Sequence, residues 1–330
     1  MRKGLATLSA FLVSVLAVGQ NMRHEADSFI AGMPENLQYR QECAVREAIG
    51  GNLSLLESVR NSRNTAPTLP EGVSTIDIEG KYRLYRPVEC GEDPIPVLVY
   101  LHGGGWCFGS INSCAAFCAS LALCADVAVL AVDYPLAPEH PYPEALDSCL
   151  DALDFIHANA ERYKLDTAAV SVGGDSAGGN LAIATALKLI DAPCRISLKS
   201  LVLFYPVLRA WNDKSPSWEK YAVGYALDGG IMEAFNQAYV GAYDPKTPLI
   251  SPLCADAGSL AKLPPTLIIN AERDILCSQG EDMSRCLEKA GASVRREVFD
   301  GAVHLFITVS GQPTAFNRAV ELTGEFLKTN

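Results

Sequence analysis

Apolar positions along the chain alternate between two spacings. Short continuous runs of Val, Ile and Leu occur at Ile95 to Leu101, Val127 to Val132, Ala169 to Val172, Leu201 to Phe204 and Thr266 to Asn270. Runs this short and unbroken suit strands buried on both faces. Val73 to Ile78 and Tyr82 to Tyr85 read as a leading pair of strands, and Val294 to Phe299 as a last one. Between the runs, helical patterns fall at roughly Ser113 to Cys124, Tyr142 to Asn159, Gly179 to Ile190, Gly280 to Ala290 and Gln312 to Leu327. Strand followed by helix, repeated, predicts an α/β fold: a mostly parallel sheet flanked by helices, with ligands bound beyond the carboxyl ends of the strands.

Two stretches fall outside that alternation. Residues 20–70 carry a helical pattern broken by Gly32, Pro34 and Gly50-Gly51, and end in a polar connector from Asn61 to Pro70. The interval Pro206 to Pro252 is too long for a loop and brings its own aromatics, Trp211, Trp218, Tyr221, Tyr225, Phe235 and Tyr239. Together the two are expected to form a helical cap, with an insertion at about 207–250, over a main domain spanning 71–330.

The amino terminus has a third pattern: Met1-Arg2-Lys3, an uncharged stretch from Gly4 to Gly19, then polar Gln20-Asn21. That is the layout of a secretory signal peptide over residues 1–19, with Ala17 and Gly19 as small residues near a cleavage point. Sixteen uncharged residues fall short of the roughly 20 that a bilayer span needs, so no stable membrane span is expected. The layout points to a periplasmic or secreted protein. The eleven cysteines, an odd number at irregular spacings, favour the alternative of a cytoplasmic protein whose first helix packs on the fold. No CxxC pair or histidine cluster accompanies Cys114, Cys118 and Cys124, which therefore read as small buried residues and not as metal ligands.

Composition narrows the function. With 49% hydrophobic and 20% charged residues in 330, the chain can bury a large core. Its 27 basic and 38 acidic residues leave a net charge of −11 with no basic run, which repels nucleic acid and anionic lipid. No internal repeat or low-complexity tract is present.

The chemistry is concentrated at predicted strand ends. Ala169 to Val172 runs into Gly173-Gly174-Asp175-Ser176-Ala177-Gly178-Gly179-Asn180 and then a helix. This contains G-x-S-x-G, in which the glycines give room for a serine on a strained strand-to-helix turn. The following helix points its N–H groups at that serine and favours negative charge there. A phosphate-binding loop is the other reading of such a turn, but the lysine it requires is missing. Strand Ile95 to Leu101 ends in His102-Gly103-Gly104-Gly105-Trp106, whose bare backbone N–H groups can stabilise an oxyanion.

A serine nucleophile needs a base, and histidine has the right pKa. Of His24, His102, His140, His157 and His304, only His304 follows Ser176 in the chain, in the loop after Val294 to Phe299. The acid that orients it should follow a strand end between the two; Asp274 is the first choice and Glu272 the alternative, and either could instead pair with Arg273.

Together these residues resemble the hormone-sensitive-lipase-like carboxylesterases of the GDSAGG branch of the α/β-hydrolases. The markers are His102 to Trp106, the run Asp133-Tyr134-Pro135-Leu136-Ala137-Pro138-Glu139-His140-Pro141-Tyr142-Pro143, the segment Gly174 to Asn180, Ser215-Pro216-Ser217, and Ala271 to Leu276. The resemblance runs from about Gly72 to the carboxyl terminus. It implies an eight-stranded sheet with one antiparallel strand and a helical cap. It also implies Ser176 as nucleophile, His304 as base, Asp274 as acid, and oxyanion donors from Gly103, Gly104, Gly105 and Ala177. The chain departs from the family pattern after Asp274, where Ile275-Leu276-Cys277-Ser278 stands in place of Pro-Leu and an acidic residue, and after His304, where Leu305 replaces glycine.

The expected function is hydrolysis of a small-molecule ester with a short acyl chain, through an acyl-enzyme and without metal or cofactor. Trp106, Phe108, Trp211, Trp218, Tyr221 and Tyr225 are the expected walls of the acyl and alcohol pockets. Acetylated sugars, aryl esters and amides are substrates of the same chemistry. A non-catalytic ligand receptor is the alternative from another class, although receptors of this resemblance lack the histidine that His304 supplies. A homodimer is compatible with all of these.

Overall fold

The computed structural model describes residues 18–192 and 195–330. The expected leader lies outside the described residues, apart from Val18 and Gly19, which are already helical.

Eight strands form one sheet in the order β1-β2-β4-β3-β5-β6-β7-β8. β1 (Val73–Ile78) and β2 (Tyr82–Pro87) form an antiparallel hairpin, and β2 also lies antiparallel to β4 (Ala128–Val132). The remaining neighbours, among β3 (Ile95–Leu101), β4, β5 (Leu165–Asp175), β6 (Leu198–Phe204), β7 (Thr266–Arg273) and β8 (Val294–Val303), are parallel. β2 is thus the single antiparallel strand.

Alternation along the strands supplies two cores. Val97, Val99 and Leu101 of β3 face α5 (Glu144–Tyr163) and α6 (Ala177–Leu189), whereas Leu98 and Tyr100 face α4 (Ala115–Ala125) and α11 (Pro313–Thr329). All of β4 is buried, as expected for a strand covered on both sides. The cysteines of α4 follow the same logic: Cys114 and Cys118 are buried in the second core, and the ten cysteines among the described residues are free.

Among the described residues, three helices precede the sheet: α1 over 18–31, α2 (Leu37–Ile49) and α3 (Ser54–Arg63). Met22 and Ala26 of α1 are buried, and its polar face is tied to the end of β7 by Asp27–Arg273 at 2.6 Å and Arg23–Glu272 at 2.9 Å. α2 packs against α8 (Gly229–Val240), which with α7 (Pro216–Tyr221) makes up the α-helical part of the 207–250 segment, while α9 (Ala257–Leu260) leads into β7 and α10 (Cys277–Ala290) joins β7 to β8. α3 is anchored by Arg60, whose guanidinium bonds the carbonyls of Cys107 and Ala137 at 2.8 and 2.9 Å and both carboxylate oxygens of Glu139 at 2.6 and 3.0 Å. The three leading helices, α7 and α8 lie across the carboxyl end of the sheet, where β3, β5, β7 and β8 all deliver their loops. No described helix is long and apolar enough to cross a membrane.

Candidate active site

β5 carries its ladder past the apolar run, because Gly173, Gly174 and Asp175 pair on one side with Val202, Leu203 and Phe204. The chain then turns within one residue into α6. Ser176 takes φ 56° and ψ −115°, a left-handed φ that a non-glycine residue keeps only where its surroundings fix it. Three backbone bonds hold it: Ser176 N–H donates to Phe204 O at 2.8 Å, and its carbonyl accepts from Val207 N–H at 3.2 Å and from Asn180 N–H at 3.1 Å. The glycine two residues on is needed because a Cβ at Gly178 would stand 1.9 Å from the Leu101 carbonyl oxygen, a backbone atom that cannot move aside.

His304 follows β8 and Asp274 follows β7, and the three side chains meet. Ser176 Oγ lies 3.0 Å from His304 Nε2, and His304 Nδ1 lies 2.6 Å from Asp274 Oδ2. All three are at most 5% exposed. The remaining Asp274 oxygen, Oδ1, accepts from Leu276 N–H at 3.0 Å, so the carboxylate cannot rotate away from the imidazole. Gln312, fully buried before α11, fixes the histidine loop: it accepts from Val303 N–H and donates to the carbonyls of Val303 and His304.

The acid loop lacks the family's proline and acidic residue, and a serine clamp takes their place. Ser217 Oγ donates to Ile275 O at 2.7 Å and accepts from Ser278 N–H at 3.1 Å, while Ser217 N–H donates to Ser278 Oγ at 3.2 Å. The Ser215-Pro216-Ser217 marker thus connects the segment after β6 to the loop carrying Asp274. Glu272 instead accepts from Gly301 N–H and pairs with Arg23, and Arg273 pairs with Asp27.

The glycine loop sits directly beside Ser176, supported from below. Asp175 Oδ1 accepts from Gly103 N–H and from Tyr100 Oη–H, both at 3.0 Å. Burial pushes the Asp175 carboxyl up to about 6, against those two hydrogen bonds, which pull it down. Gly103 was expected to offer an oxyanion donor, but its N–H is already committed to this carboxylate. Among the described residues, the N–H groups of Gly104 and Gly105 bond to no acceptor, and Ala177 N–H stands free at the start of α6. His102 is a pillar of the loop: its ring stacks on Tyr134 at 4.2 Å, Tyr134 Oη–H donates to its carbonyl, and burial pushes its pKa down, favouring the neutral form. The Asp133 to Pro143 run therefore braces the loop, and Ala137 N–H adds a bond to Trp106 O at 2.9 Å.

The cavity in front of Ser176 measures about 40 Å³. Its floor is Gly104, Gly105, Phe108, Ser176 and His304, and its roof comes from α2, α3, Ala226, Leu227 and α8. Gly105 lets the roof close down, since a Cβ there would meet the Phe235 ring at 2.2 Å. Of the six expected wall residues, Phe108 alone lines this cavity. Trp106 is fully buried and stacks on Tyr239 of α8 at 4.2 Å, so it holds the roof instead of touching the cavity. Trp218 and Tyr221 are buried within the segment after β6, Tyr225 packs edge-on against Tyr221, and Trp211 is partly exposed. Aromatics at helical spacing supply packing for a small helical layer, and here that use prevailed. The sequence reading did not single out Gln38, Gln41, Arg63 and Ile231, and it noted Phe235 and Leu305 without placing them on the wall; all six line the cavity.

The described residues hold no group of three or more His, Cys, Asp or Glu side chains suited to a metal. What the arrangement can do is move a proton from a serine hydroxyl to a buried imidazole next to unused N–H donors.

Residues 98–308 match the Abhydrolase_3 model, described as having the alpha/beta hydrolase fold. The chain is 38% identical over 229 residues to an ethyl acetate hydrolase of Pseudomonas putida, covering 68% of this chain and 70% of that protein. It is 35% identical over 249 residues to the carboxylesterase NlhH of Mycobacterium tuberculosis, covering 74% and 76%. Among solved structures, a thermostable esterase from Pseudomonas putida superposes with a TM-score of 0.78 at 26% identity, over 94% of this chain and 96% of that one. A family match across most of the sheet and its loops, with relatives above 30% identity over more than two thirds of the chain, shows that this protein belongs to the Abhydrolase_3 family of α/β-hydrolases.

Proposed function

We propose that the chain is a carboxylic ester hydrolase acting on short-chain acyl esters through an acyl-enzyme on Ser176. The observation that carries this reading is the continuous bond from Ser176 Oγ through His304 to Asp274, at 3.0 and 2.6 Å. His304 Nε2 accepts the hydroxyl proton as Oγ attacks the ester carbonyl carbon. The carbonyl electrons move onto oxygen, where Gly104, Gly105 and Ala177 N–H groups donate to the alkoxide; one such donor is worth about 3 kcal/mol of barrier. Collapse of this intermediate breaks the bond to the alcohol oxygen, which takes the proton from His304 and leaves. Water then attacks the acyl-serine, gives its proton to His304, and releases the acid as Ser176 recovers its own. Asp274, bonded to Nδ1, orients the ring and stabilises the imidazolium.

α2, α3 and the 207–250 segment act as the cap. A cavity of about 40 Å³ beneath it supports a short acyl chain, because a long one must displace Phe235 and Leu227. Hydrolysis of p-nitrophenyl acetate, butyrate, octanoate and palmitate tests this. The expected result is turnover of acetate and butyrate, with kcat/KM falling by at least about tenfold at octanoate and to background at palmitate, since each buried methylene without space costs packing free energy. Palmitate hydrolysed as fast as butyrate contradicts the short-chain reading.

A further inference from the structure

Three polar side chains in the cavity have no part in that mechanism, and one of them, Gln38, is engaged by Asp228 N–H, which donates to its Oε1. Gln41 of α2 is 7% exposed, and Arg63, the last residue of α3, is partly buried; both line the cavity with Ser176, His304 and Gly104. Among the described residues, neither is joined to a hydrogen-bond or ion-pair partner; the contact Arg63 makes is with the Phe108 ring, its guanidinium carbon 5.5 Å from the centroid. Arg60, one turn earlier on the same helix, shows the contrast: it is saturated by two carbonyls and Glu139. Loss of water pushes the Arg63 guanidinium pKa down. Gln38, Ala226, Leu227, Ile231, Phe235 and Leu305, which also line the wall, provide no counter-charge. A half-buried cation and a largely buried amide that line the same cavity as the serine, with no protein partner, have only solvent to bond in an empty site, and a bound anion supplies the missing acceptor.

We propose that Arg63 and Gln41 form a carboxylate receptor, so that the preferred esters carry a carboxylate beside the scissile bond. The guanidinium offers a fork of donors, the amide of Gln41 adds another, and Phe108 holds the guanidinium plane. The carboxylate belongs either to the acyl part, as in a half-ester of a short dicarboxylic acid, or to the alcohol part, as in the acetate of a short hydroxy acid. This inference rests on the Ser176 esterase reading.

The test compares kcat/KM in two arms, each pairing an anion with its neutral amide. The acyl arm is monoethyl succinate against ethyl succinamate, and the alcohol arm is 4-acetoxybutanoate against 4-acetoxybutanamide. The wild type is expected to favour the anion by about tenfold to a hundredfold in one arm, the range for a hydrogen bond to a charged group. Arg63→Met is expected to remove that preference and Arg63→Lys to restore part of it. A wild type that is indifferent or prefers the amide in both arms overturns the proposal, as does a preference that survives in Arg63→Met. Should Arg63→Met not fold, the wild type decides alone: KM for the favoured anion rises with sodium chloride while that of its amide stays level, and a level KM for both overturns the proposal. Ser176-dependent turnover of p-nitrophenyl acetate without any anion preference sinks this inference alone, whereas no turnover of any ester sinks the esterase reading beneath it.

Discussion

Ser176→Ala is expected to lower kcat/KM on p-nitrophenyl acetate by about 10⁴- to 10⁶-fold, the loss seen when a nucleophile that acts as one unit with its base is removed. The rest of the site survives the change. Ser176 Oγ makes one described bond, to His304, while the turn is held by the backbone bonds to Phe204 and Val207 and by contacts that glycine at 178 permits. The melting temperature should therefore stay within a few degrees of the parent, and initial rates beside a thermal melt check both parts. A variant retaining more than about a hundredth of the activity would mean that another group attacks the ester.

The second large effect belongs to Asp274→Asn, expected to cost about 10³- to 10⁴-fold in kcat. The buried carboxylate accepts from His304 Nδ1–H with one oxygen and from Leu276 N–H with the other. Asparagine satisfies Leu276 with its carbonyl and turns its NH₂ toward the imidazole. That favours the tautomer with the proton on Nε2, which can no longer accept one from Ser176. Glu272→Gln provides the comparison, because Glu272 bonds Gly301 and Arg23; it should stay within about threefold of the parent. Kinetics on both variants with the same ester separate an orienting acid at 274 from a general loss of negative charge near the site. Equal losses in the two would contradict the assignment.

Much of the frame is legible because buried strands and amphipathic helices leave different spacings. β1 and β3 coincide with their apolar runs, and α5, α6 and α11 begin and end within a few residues of the pattern. Strand ends were less legible where the site is built. Gly173, Gly174 and Asp175 have poor strand propensity, and pairing with β3 and β6 for the two glycines, and with β6 for Asp175, keeps them in β5. At the same carboxyl end, Ala271 and Arg273 extend β7 through pairing with β8, which the charged residues conceal. Chain order and residue chemistry suffice to bring Ser176, Asp274 and His304 to notice, because few histidines exist and each residue follows a strand. The cavity walls could not be read this way. Which face of α2 looks down, and that Arg63 ends α3 over Phe108, depend on how the cap helices dock. The aromatics that stood out in sequence, Trp106, Trp218 and Tyr221, instead stabilise that docking by stacking and burial. Gln312 and Ser217 were likewise silent as chemistry, since polar residues that lock loops are recognised only by the carbonyls and N–H groups they meet.

The central claim is that the Ser176 hydroxyl becomes the nucleophile that carries the acyl group. Diethyl p-nitrophenyl phosphate tests it directly: the attacking oxygen forms a bond to phosphorus, p-nitrophenolate leaves, and the stable diethylphosphoryl group cannot be hydrolysed onward at a comparable rate. The account predicts one phosphoryl group per chain, located by peptide mass spectrometry at Ser176 within Gly174 to Asn180, with esterase activity lost in step with labelling and no label in Ser176→Ala. Activity lost with Ser176 unmodified, or a stoichiometric label on a different side chain, would contradict it.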